Sequence, residues 1–213
     1  MSEPFTFTGT DDGIRARKGY HHGHLREALV AAAAQLIAEK GPQGFTLVEA
    51  ARMAGVSPAA PYRHFKDRDA LIQEVASRGF AAFGRALGAA LASSPDPKAA
   101  FERMGEAYLD FAHREPGFYG AMFFAKCRPG EAGAEAARPA AFETLAEALA
   151  RALPPGKSGL DPRLLALQIW ALSHGIAALR EVGQLPQGGG VPTPDAILRS
   201  GVAALIGASV AAK

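Results

Sequence analysis

Residues Thr46 to Phe65, TLVEAARMAGVSPAAPYRHF, limit the fold more than any other segment, because they indicate two short helices joined by a tight turn. The first helix is expected to begin after Thr46, since Glu49 follows three residues later at the spacing of a capping box. Gly55 stands where this helix must end, in a left-handed conformation that glycine adopts without strain. The segment therefore predicts a helix, a turn and a second helix.

The second helix is predicted to run from about Pro58 to Phe65. Ser57 before Pro58 combines an N-cap with a proline at the first helical position. Pro61 still falls in the first turn, where the missing N–H of proline breaks few hydrogen bonds. The two helices are expected to be held together by the apolar residues Ala50, Met53, Val56 and Phe65.

Amphipathic helices are predicted on both sides of this pair. Upstream, apolar residues recur along one helix face until Lys40-Gly41-Pro42 ends the run. They are Leu25, Leu29, Ala32, Ala33, Leu36 and Ile37. Downstream, Asp67 is placed to cap a helix running from Arg68 to about Ala92. Three helices around a small core, with the third exposed, form a DNA-reading module; an ordinary helical hairpin in an all-α core is the alternative.

The charge distribution favours the DNA-reading interpretation. Residues 13–68 contain nine Lys and Arg against four acids, a net charge of +5, while the whole chain carries +2. The remainder is therefore at −3, and positive potential is concentrated where a polyanion would dock.

Residues 20–80 resemble the N-terminal domain of the tetracycline-repressor (TetR) family of bacterial transcription regulators. The shared features are the Gly-x-x-x-Phe-Thr entry, the Ala-Gly-Val-Ser turn and the Tyr-x-His-Phe end of the pair. The resemblance implies phosphate contacts from Thr46 and Tyr62, and from Arg68, which replaces the usual lysine. It also implies that a groove-facing surface is formed by Ser57, Pro58, Ala59, Ala60, Tyr62, Arg63 and His64.

The Pro58-Ala59-Ala60-Pro61 run departs from the family pattern, because it carries few groups that hydrogen-bond to base edges. Direct readout is therefore expected to rest on Arg63 and His64, with methyl contacts from Ala59 or Ala60 to thymine.

Residues 1–19 are expected to form a flexible basic arm. The leader lacks an apolar core and so is not a signal peptide. The cluster ending at Lys18 is placed to follow a phosphate backbone or enter the minor groove, and a solvated tail is the alternative. The histidines of Tyr20-His-His-Gly-His24 lack partners at metal-ligand spacing, so no metal site is expected.

Residues 81–213 have helical periodicity and no strand alternation, which predicts an all-α fold. The resemblance to the TetR family implies that this part is a helical-bundle domain for ligand binding and dimerisation. Trp170 followed by His174-Gly175 is similar to the WHG-type C-terminal domain of one TetR branch. Trp170 and His174 share a helix face, where core packing and ligand contact are both open. Helices are predicted at about 161–182 and 193–211, and their small residues would permit close helix packing. The resemblance implies that these helices pair into the four-helix bundle of a homodimer.

Aromatic residues between Phe111 and Phe124 are expected to line a cavity, with core packing as the alternative. The predicted ligand-binding residues are Phe111, Tyr119, Met122, Phe123, Trp170 and His174.

These features predict a cytoplasmic repressor that is not an enzyme, needs no cofactor and is released from a palindromic operator by a small hydrophobic effector. A single cysteine, Cys127, suits a reducing compartment. An effector-independent regulator or an activator is the first alternative. A helical enzyme is the second, although no nucleophile–base pair, metal set or cofactor loop can be assembled from the spacing.

Overall fold

The computed structural model of the chain describes residues 25–125, 132–153, 161–186, 188 and 190–211, without the side chains of 132–139 and 208–211. This part of the chain contains eight α-helices, one 3₁₀ turn and no strand, which confirms the predicted all-α fold. The elements are α1 (Leu25–Lys40), α2 (Leu47–Met53), the 3₁₀ turn Pro61–Arg63, α3 (Arg68–Ala92), α4 (Pro97–Arg114), α5 (Pro116–Phe123), α6 (Ala132–Ala152), α7 (Pro162–Glu181) and α8 (Pro194–Ala211).

Local signals set the ends of the N-terminal helices as predicted. Thr46 Oγ1 accepts a hydrogen bond from the Glu49 N–H (3.2 Å), and the Glu49 carboxylate accepts one from the Thr46 N–H (2.8 Å), which completes the capping box. Gly55 has φ of 71°, in the left-handed region. Asp67 caps α3 by accepting from the Ala70 N–H at 2.7 Å.

The second helix of the predicted pair is wrong as an α-helix from Pro58 to Phe65. The chain forms turns there, and only Pro61–Arg63 is helical, as one 3₁₀ turn. Most hydrogen bonds of this segment span three residues, as from the Ala60 N–H to the Ser57 carbonyl (3.0 Å) and from the His64 N–H to the Pro61 carbonyl (2.9 Å), and only the Phe65 N–H reaches back four residues, to Pro61 (2.9 Å). Two prolines without N–H groups leave too few consecutive donors to propagate an α-helix over so short a segment.

The expected contacts within the pair are confirmed except at Met53. Ala50 and Phe65 are buried, and Val56 packs against the core from a partly buried position. Met53 is 40% exposed, because it lies roughly 110° around α2 from the centre of the buried face.

One long helix and one short helix join the two predicted domains. The expected boundary at residue 80 falls inside α3, which runs without a break from the DNA-reading end into the second half of the chain. The short α5 packs on both α1 and α3. A Cβ atom on Gly117 would lie 1.9 Å from the Ala34 carbonyl oxygen, so only glycine permits this approach of α5 to α1.

The last two helices match the predicted ranges 161–182 and 193–211. α7 begins one residue later and ends one residue earlier than predicted, and α8 begins one residue later. No described helix combines the length and the apolar character needed to cross a bilayer.

The capping box predicts a specific dependence of stability on acid. The Lys40 ammonium and the Thr46 N–H and hydroxyl lower the pKa of Glu49 from 4.5 to about 2. A carboxyl group with a lowered pKa stabilises the folded chain above its unfolded value and loses that contribution as pH falls towards 2. Glu49→Gln should therefore flatten the fall in melting temperature between pH 5 and pH 2, while Glu39→Gln should leave it unchanged.

Candidate nucleic-acid interface and ligand cavity

The segment between α2 and α3 presents the predicted groove-facing surface to solvent. Tyr62 is 59% exposed on the 3₁₀ turn, and its neighbour Arg63 is also exposed. Ser57, Pro58 and Ala59 are exposed, whereas Ala60 and His64 are partly buried. The surface therefore offers one phenol hydroxyl, one guanidinium and several small apolar groups.

Arg63 on this surface and Arg52 on α2 are exposed cations that no carboxylate engages within the described residues. Lys40, by contrast, is held by Glu49 at 2.8 Å. Unpaired cations bind phosphate without first breaking an ion pair, so these two arginines suit a nucleic-acid backbone or base edge.

Two of the predicted phosphate contacts already have partners. The Thr46 hydroxyl serves the capping box. The Arg68 guanidinium donates to the Gln43 side-chain oxygen at 2.8 Å and to the Asp69 carboxylate at 3.1 Å, which turns it towards the loop before Thr46. A phosphate at this position would share those donors. Lys18, the remaining predicted contact, lies outside the described residues.

A cavity of about 410 Å³ lies between α3, α4, α6, α7 and α8. Its wall is mainly apolar and includes Phe83, Leu87, Phe101, Met104, Leu145, Ile169, Trp170, Leu198, Val202 and Ile206. Charged residues also line it, namely Lys98, Glu102 and Glu106 of α4 and Asp195 and Arg199 of α8. Arg199 and Glu106 approach to 3.5 Å, which links α4 to α8.

Of the six predicted ligand-binding residues, only Trp170 lines this cavity. Phe111, Tyr119 and Met122 are buried in the core beside it. Phe123 and His174 pack on each other with ring centroids 4.8 Å apart. The cavity residues that the prediction missed include Tyr108, Ser173 and Leu198.

Three polar groups meet where this aromatic core adjoins the cavity. The hydroxyls of Tyr108 and Tyr119 each lie 2.8 Å from His174 Nδ1 and 3.0 Å from one another. Burial raises the pKa of Tyr108 to about 12, raises that of Tyr119 and lowers that of His174. All three groups are therefore neutral at physiological pH, and they join α4, α5 and α7.

The Phe123 ring packs between Trp170 and His174 and contacts both. The Phe123 ring lies 6.4 Å from the Trp170 ring, and Trp170 also stacks on Phe142 at 5.4 Å. Gly175 is exposed and a Cβ atom there would meet nothing within 4 Å, so no helix of the described chain uses it for a close approach.

The outer face of α7 is apolar, and none of the residues that the structure describes covers it. Leu164 is 55% exposed, Leu167 52%, Leu179 43% and Val182 65%, and Ala171 and Gly175 lie between them. Large exposed side chains that follow one face of a helix mark a surface suited to another protein surface.

Two family models match the sequence. Residues 29–75 match the model described as bacterial regulatory proteins, tetR family. Residues 101–205 match the model of the tetracyclin repressor-like C-terminal domain. Together they span more than half of the chain, and no curated protein matches it. The second description does not specify the WHG type, which stays a prediction.

Solved structures with this fold include a protein of unknown function from Rhodococcus sp. RHA1, 31% identical with a TM-score of 0.73, covering 90% of this chain and 98% of that one. A TetR-like transcriptional regulator from the same organism is 18% identical with a TM-score of 0.70, over 92% and 100% of the chains. The complex of AibR with isovaleryl coenzyme A and operator DNA is 18% identical with a TM-score of 0.66, over 85% and 98%.

Proposed function

Because the chain belongs to the TetR family of DNA-binding transcriptional regulators, we propose that it is a homodimeric repressor, released from a palindromic operator by a small apolar effector. The observation that carries this proposal is the position of the cavity along α3. Phe83 and Leu87 of this helix line the cavity, while Arg68 at its first turn contacts the loop before Thr46. A ligand that changes the packing around α3 would therefore change the position of the DNA-reading surface.

The effector is proposed to act by shifting a population of conformers. It must bind a conformer that the operator disfavours, and bind it better than the operator-binding conformer. Tyr108 offers a second connection, because it lines the cavity and bonds to Tyr119 of α5, the helix that packs on α1.

The dimer is proposed to form through α7 and α8. The uncovered apolar face of α7 supports this assignment, since it would be buried by the same face of a second copy. Two-fold symmetry would place the two reading surfaces on half-sites about 34–36 Å apart, one duplex turn, which requires a palindromic operator.

Two substitutions separate the roles proposed for the DNA surface. Tyr62→Phe should weaken binding to all sequences alike, by about 1 kcal/mol, because it removes one hydrogen bond to phosphate. Arg63→Ala should cost about 1–3 kcal/mol and relax the preference at one base position. Both affinities can be measured by fluorescence anisotropy on operator and scrambled duplexes. Arg151→Ala, an exposed arginine on α6, is the charge-matched control.

The proposal as a whole is tested by recovering DNA that the protein selects from random oligonucleotides. A palindromic consensus is expected, and no enrichment even at low salt would contradict it. Operator affinity is then measured across a panel of apolar metabolites. An affinity that none of them changes would favour an effector-independent regulator.

A further inference from the structure

Ser173 is a buried polar side chain of the cavity wall. It lies on α7 at 5% exposure, and apart from the tyrosines no other polar or charged residue of the described chain is buried. Its hydroxyl donates to the Ile169 carbonyl at 2.9 Å, so its hydrogen is already used within the helix. The oxygen retains lone-pair capacity, and no other described group donates to it.

A hydrogen-bond acceptor in an apolar cavity wall favours ligands that carry a hydrogen-bond donor. A buried acceptor favours a ligand with a donor, because an apolar ligand would exclude water from the oxygen without replacing its hydrogen bond. The Tyr108 hydroxyl competes poorly for this role, since it already contacts Tyr119 and His174. Besides the carboxylates of Glu102, Glu106 and Asp195, Ser173 is thus the side-chain acceptor in the wall to which a ligand can still donate, and it is the buried one.

The charges around the cavity disfavour an anion. Among the described residues, the charged groups that line the cavity are the carboxylates of Glu102, Glu106 and Asp195 and the cations of Lys98 and Arg199. The net charge of the cavity lining is therefore −1. Arg199 is moreover shared with Glu106. A carboxylate head or the phosphates of a coenzyme A thioester would meet more acidic than basic groups here.

We propose that this cavity binds an uncharged, largely apolar molecule with one hydroxyl group, and that this hydroxyl donates to Ser173 Oγ. The apolar body fills the space between α3, α4 and α8, where Phe83, Phe101 and Leu198 line the wall. This ligand class rests on the proposed function, in which the cavity is the effector site. A volume of about 410 Å³ accommodates a medium-chain or aromatic alcohol.

The experiment compares decan-1-ol with its methyl ether, decanoate and decanoyl coenzyme A. Trp170 is the single tryptophan of the chain and lines the cavity, so its fluorescence reports binding directly. The wild-type protein should bind the alcohol roughly three- to tenfold more tightly than the ether, and should bind the two anions more weakly than the alcohol. Ser173→Ala should abolish the preference for the alcohol over the ether, and Ser173→Thr should retain it.

Thermal melting of each variant establishes that it is folded before binding is compared. The proposal is overturned if decan-1-ol fails to bind, if either anion binds more tightly, or if Ser173→Ala keeps the preference for the alcohol. Operator affinity is measured separately with the same ligands. If the alcohol binds but leaves operator affinity unchanged, release by this effector is refuted and the ligand class is kept. If only an anion lowers operator affinity, the ligand class is refuted and effector release is kept.

Discussion

Gly117→Ala should lower the free energy of unfolding by about 3 kcal/mol, near the upper end for overpacked sites. The added Cβ would lie 1.9 Å from the Ala34 carbonyl oxygen and 2.6 Å from the carbonyl carbon, both in the backbone of α1. Helix backbone cannot move aside as the end of a flexible side chain can, so α5 must shift away from α1. For a domain of this size the melting midpoint should fall by roughly 6–12 °C, as measured by calorimetry.

Gly84→Ala is the matched control for this substitution. Gly84 is an exposed position within α3 where a Cβ atom would meet nothing within 4 Å. Alanine there should stabilise the chain by roughly 0.5–1 kcal/mol, since glycine loses more conformational freedom in a helix. A Gly117→Ala variant that melts with the wild type would mean that α5 does not pack on α1 as closely as described.

Leu167→Glu should convert the proposed dimer into a monomer and weaken operator binding by at least ~100-fold. Leu167 is 52% exposed in the single chain and lies on the apolar face of α7, one helical turn after Leu164. In the dimer it would be buried, and an unpaired carboxylate there would cost several kcal/mol. The affinity falls because each reading surface then binds its half-site without the other.

Analytical ultracentrifugation and anisotropy on the selected operator measure these two effects. Ala150→Glu, an exposed position on α6, introduces the same charge outside the apolar face and should leave both unchanged. A Leu167→Glu protein that sediments as a dimer would place the interface elsewhere.

The N-terminal helices could be predicted from sequence because their ends depend on neighbouring residues. Thr46 with Glu49, Gly55 and Asp67 each act through hydrogen bonds or backbone angles within a few positions. The same reasoning was wrong between Pro58 and Phe65, where the prolines reduced the expected helix to one 3₁₀ turn. The expected exposure of Tyr62 and Arg63 does not depend on that difference, because both side chains remain at the surface.

The cavity could not be predicted in the same way. Aromatic residues cluster in sequence between Phe111 and Phe124, but most of them pack on one another, as Tyr119 does on Phe124 with ring centroids 5.9 Å apart. Aromatic rings favour such edge-on contacts and fill space, so a cluster of them marks a core as readily as a cavity. The walls of the cavity come from five helices that are far apart in the chain.

By itself the sequence determined the all-α class, the helix ends set by local caps, the family and the concentration of positive charge at one end. The tertiary structure alone decided that α1 packs against the backbone of α5 at Gly117, that Ser173 lines a cavity and that the outer face of α7 is exposed among the described residues. The physical reason is the distance along the chain over which each interaction acts. Caps and periodicity act over one or two helical turns, whereas a cavity or a free face depends on how distant helices pack and on what that packing leaves unfilled.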